Sequence, residues 1–110
     1  MLVAQLTKIA FDHSCELISG ASPTGNQIAG ALTYASHGHL RPWAQTESGN
    51  VLAVDGVVAG LSGLQSHMAL LRRITTGSIH GVAIASRHLG DTSSDDIDVL
   101  LHTPLMTSVA

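Results

Sequence analysis

The chain has 110 residues, the usual size of one domain, so a single domain over residues 1–110 is expected. Its apolar fraction of 45% is ample for a core and excludes disorder as the main state. Charged residues make up only 12% and the net charge is −3, which excludes the broad basic surface typical of nucleic-acid binders.

Leu2, Leu6, Ile9, Ala10, His13 and Leu17 share one helical face, predicting a helix over residues 2–18, with a strand over 2–11 as competitor. Gly20 punctuates. Ser22-Pro23 then reads as an N-cap with proline in the first turn, opening a second helix that buries Ile28, Ala31, Leu32 and Ala35. That helix is expected to stop near Gly38, followed by a loop at Arg41-Pro42-Trp43 and a polar turn over residues 46–50.

Residues 51–71 admit two readings. Val54, Val57, Leu61, Leu64, Met68 and Leu71 have coiled-coil spacing, but Gly56, Gly60 and Gly63 would each weaken a helix by about 1 kcal/mol. The preferred reading is a hairpin turning at Asp55-Gly56, then a helix from the Ser62-x-x-Gln65 capping box to Thr76, closed by Gly77. Asp55, Gln65, His67 and the glycines argue against a membrane span here.

Residues 78–87 read as a buried strand, which forms a right-handed crossover if it pairs in parallel with the strand before the helix. Ser93-Ser94-Asp95-Asp96 suggests the acidic start of a last helix running to His102. The alternation Ile97, Val99, Leu101 supports a strand instead. The expected class is α+β, with three or four strands and helices packed on one face. One continuous helix over 51–76 would make the domain all-α.

Several motifs carry partial chemistry. Gly20 and Gly25 have P-loop spacing, yet Asn26 and Gln27 stand where lysine and a magnesium-binding hydroxyl are needed, leaving a weak anion site at most. Asp12-His13-Ser14 names a triad, but adjacent side chains point apart. His37 and His39 are the metal candidates, because residues two apart in an extended segment share a face. His80 and His88 would share a face on an uninterrupted strand. No HExxH or cysteine cluster supplies further ligands, and Cys15 reads as a buried thiol in a reducing compartment.

The segment Gln27-Ile28-Ala29-x-Ala31-Leu32 resembles the first helix of a helix-turn-helix, with residues 36–43 where the turn and recognition helix would lie. It departs from that pattern at Thr33 and Pro42. The resemblance implies DNA contacts through Arg41, with Arg72 and Arg73 as a further local patch.

Serine and threonine number 21 against 13 charged residues, so much of the surface is neutral hydroxyl or is covered by another subunit. The function expected is a small, non-catalytic protein-binding module. It would be a homo-oligomeric accessory or inhibitory protein of the phage or mobile-element kind, with Leu61, Leu64, Met68, Leu71 and Trp43 as interface. The alternatives are a histidine-based metal or pH sensor, since protonating all seven histidines moves the net charge from −3 to +4, and a DNA-binding regulator using residues 24–43. No cofactor or membrane partner is expected. The N-terminal residues do not read as a secretory signal, and a cytoplasmic location is expected.

Overall fold

Leu17, Val51 and Ala53 are buried on one side of the backbone, and Ile18, Leu52 and Val54 on the other. Strands buried on both faces need helices above and below, the setting of a parallel sheet. The computed structural model describes residues 2–44, 48–88 and 93–102 and shows that arrangement. In chain order it has α1 (Leu2–Asp12), β1 (Leu17–Gly20), α2 (Pro23–Ala35), β2 (Arg41–Pro42), β3 (Val51–Val58), α3 (Ser62–Ile74), β4 (Ile79–Ser86) and β5 (Ile97–His102). The five strands form one sheet in the order β2-β1-β3-β4-β5, and every pairing is parallel.

The sheet has five strands rather than three or four, and all are parallel, an α/β arrangement. Helices cover both faces: Leu6 and Ala10 of α1 and Leu32 of α2 pack with Ile18, Leu52, Val54 and Val82. On the opposite face, Leu64, Met68 and Leu71 of α3 pack with Leu17, Ala53 and Ala83. Each fully buried leucine or methionine contributes about 1.5–3 kcal/mol. An all-α bundle is excluded, because β3 occupies the start of the 51–76 segment.

The hairpin does not form, and β3 runs straight through Asp55-Gly56. Tertiary contacts use both residues. A Cβ on Gly56 would lie 2.6 Å from Thr24 Cγ2, so glycine lets α2 sit close to the strand. The Asp55 carboxylate accepts hydrogen bonds from Ser22 Oγ at 2.6 Å and from the Gly56 amide at 2.9 Å.

The helix expected over 2–18 ends at Asp12, where Ser14 turns the chain with φ 55° and Leu17 enters β1. The α2 cap is as read: Ser22 Oγ accepts from the Gly25 amide, with Pro23 opening the helix. Helix α3 starts at Ser62 as expected, but its N-cap is Leu61 and the capping box is not made. In place of a last helix, 97–102 is strand β5, because the β4 ladder satisfies its backbone and Ile97 enters the core.

The β1–α2–β2 and β3–α3–β4 crossovers step in opposite directions and place their helices on opposite faces. They therefore share one hand, as right-handed crossovers require.

Candidate functional site

Because the chain leaves β1 toward one sheet edge and β3 toward the other, the strand order reverses at their C-terminal ends. In doubly wound sheets this reversal point is where ligands bind. Ser22 bridges the two strand ends there, capping α2 and donating to Asp55, which is only 7% exposed. Gly25 approaches so near that a Cβ would stand 2.5 Å from the Val54 carbonyl oxygen. The Gly20/Gly25 spacing thus includes a glycine needed for helix-to-strand contact.

Ser19, on the α3 face of β1, shares a 2.8 Å hydrogen bond with His67 Nε2 of α3. Burial holds the His67 pKa below its ordinary value, against an opposing pull from the Asp55 charge. A neutral imidazole can accept the Ser19 hydroxyl proton. No hydrogen bond joins Asp55 to His67 among the described residues, so the three form a polar cluster without a completed relay.

Two cavities of about 320 Å³ flank this cluster. One is lined by Ser19, Asn26, Thr33, Pro42 and Trp43, the other by Gly60, Leu61, Ser62, Gln65 and His88. The second lies at the start of α3, whose first-turn amides receive no side-chain cap. Such amides are orphan donors at the positive end of the helix dipole. At the first cavity, the buried Trp43 Nε1 has no hydrogen-bond partner among the described residues.

The residues singled out from sequence fall elsewhere. Leu61, Leu64, Met68 and Leu71 are buried against the chain's own sheet, at 8%, 0%, 1% and 1% exposure, so this stripe is core and presents no outward face. Trp43 is half-buried and packs beside the same cluster. His37 and His39 are both exposed in the α2–β2 turn, and the His39 ring meets Phe11 at 4.6 Å. His88 lies beyond the end of β4, which breaks the shared face with His80.

Among the described residues, no recognition helix occupies 36–43. Residues 36–40 turn into the two-residue strand holding Arg41, so the helix-turn-helix is not formed. Arg72 and Arg73 close α3, and Arg72 pairs with Asp96 at 3.2 Å. Cys15 is buried, and desolvation pushes its thiol pKa up to about 11, so it stays protonated and inert.

The structure brings together His13, His80 and Asp98, whose ligand atoms all lie within 4.8 Å of one another. The sequence offered His80 as a strand-face histidine and Asp98 as one of several acidic residues, but grouped neither with His13, and the Ser19–His67 pair was missed. Their members are far apart in the chain, and tertiary packing brings them together: α3 lies over β1, and the turn after α1 lies over the adjacent strands β4 and β5. No protein-family model matches the sequence, and no curated protein or solved structure matches it either.

Proposed function

We propose that this chain is a small-ligand-binding domain that holds a phosphate-bearing molecule in the crevice at the C-terminal edge of its sheet. The observation that carries this reading is the uncapped start of α3 beside a cavity lined by Gly60, Leu61, Ser62, Gln65 and His88, at the C-terminal ends of β3 and β4. The amides of the first turn receive the anion. Ser19, which lines the other cavity and is hydrogen-bonded to His67, offers a polar group to hydroxyl or amide groups of the same ligand.

Thermal-shift and NMR titrations with inorganic phosphate, a sugar phosphate and a nucleoside monophosphate test the reading. Saturable shifts are expected at the Gly60–Gln65 amides, weakened in Ser62→Pro, which removes a first-turn donor from a position that tolerates proline. The reading fails if none of the three probes shifts these amides at millimolar concentration.

A second reading, association of copies of this chain, is favoured by Leu70 and Ile74. They are exposed at 51% and 42%, one turn apart on α3. In either reading the setting is a reducing compartment such as the cytoplasm, where Cys15 needs no disulfide partner. No described helix is long and apolar enough to cross a membrane.

A further inference from the structure

We propose that His13, His80 and Asp98 form a site for one divalent transition-metal ion of the zinc class, at the sheet edge opposite the proposed ligand crevice. Two imidazoles and one carboxylate are a donor set that zinc accepts, with a fourth position left for water. The three residues come from separate elements. His80 and Asp98 are each the second residue of a strand, β4 and β5, and point to the α1 face. His13 comes from the turn that closes α1, held by hydrogen bonds from its amide to Ile9 and from the Cys15 amide to Ala10.

The geometry lies close to a coordination sphere. His80 Nε2 and Asp98 Oδ2 are 2.9 Å apart, and all three ligand atoms lie within 4.8 Å of each other. Donors of a tetrahedral ion at zinc bond lengths stand about 3.4 Å apart, so closure needs a contraction of the wider distances. His13 can supply it. It is exposed, whereas His80 is only 5% exposed and fixed by Asp98.

The rings of His13 and His80 stack at 3.5 Å and 14°. An ion lies in the plane of each ring that binds it, so His13 turns out of the stack as the ion enters. His80 must offer Nε2 as a lone pair with the proton on Nδ1. The Nε2–Asp98 hydrogen bond then gives way to two bonds to the ion. The ion would tie the end of α1 to β4 and β5.

Calorimetric titration of the chelator-treated full chain with Zn²⁺ tests this, with Co²⁺ absorption reporting geometry. One ion per chain is expected, with visible bands of a four-coordinate site. His13→Ala, an exposed change that leaves the core intact, and the isosteric Asp98→Asn should each weaken binding by more than the tenfold to hundredfold that loss of an outer-shell partner brings. The double variant His37→Ala, His39→Ala should bind as the native chain does. Absence of stoichiometric Zn²⁺, or unchanged affinity in His13→Ala, overturns the proposal and leaves the three residues as a hydrogen-bonded, stacked structural cluster. Neither result depends on whether phosphate binds at the other edge.

Discussion

Ser22 links three parts of the molecule through one oxygen: the first turn of α2, the Asp55 side chain and the loop leaving β1. Ser22→Ala should cost about 1 kcal/mol for the lost cap. It should cost about 1–3 kcal/mol more for leaving the buried carboxylate short of a donor. Urea unfolding checks the total. Ser22→Asp restores a capping oxygen but sets a second carboxylate against Asp55, so it should not rescue the loss. His67 gives a pH signature. Its folded pKa lies below the ordinary 6.5, so the unfolded chain takes up the proton first as pH falls. The contribution is fully present above the unfolded value and is lost as pH drops toward the folded one. His67→Gln should therefore flatten the fall of the urea midpoint below about pH 6.5; an unchanged slope would show that His67 does not carry it.

At the scale of elements, α3 and β4 meet through one reciprocal fit. Met68 lies over Gly81 so closely that a Cβ there would collide with its sulfur, and Ile97 of β5 closes the other side. Met68→Ala should cost about 2–5 kcal/mol by opening a cavity. Gly81→Ala alone should destabilise by overpacking. The double variant should lose less than the sum, because the new methyl occupies space that the methionine vacates, and a double-mutant cycle in urea measures that coupling. Additive losses would mean that α3 shifts to accommodate either change alone.

For the whole molecule, low charge density and the exposed pair Leu70 and Ile74 point to the outer face of α3 as the place where copies would meet. Sedimentation over a range of concentrations should then show self-association that Leu70→Lys, Ile74→Lys abolishes without lowering the unfolding midpoint. A native chain that stays monomeric throughout would remove the association reading and leave these residues as ordinary exposed apolar side chains.

Sequence by itself determined the elements whose signals are local. The Ser22-Pro23 start of α2, the helix from Ser62 and the buried strand after Gly77 rest on caps, periodicity and apolar runs within a few residues. It misread Asp55-Gly56, because the same dipeptide that favours a hairpin turn also suits a strand that must accept Thr24 at close range and bury a hydrogen-bonded carboxylate. It left 97–102 divided between helix and strand until a β4 neighbour existed to complete the ladder. The α3 stripe was legible as apolar, but not as core, since an interface and a core have the same periodicity. The Ser19–His67 pair and the His13–His80–Asp98 group were decided by tertiary structure alone. Packing of α3 on β1 joins Ser19 to His67, and the β4–β5 ladder with the turn after α1 gathers His13, His80 and Asp98; no local spacing encodes either arrangement.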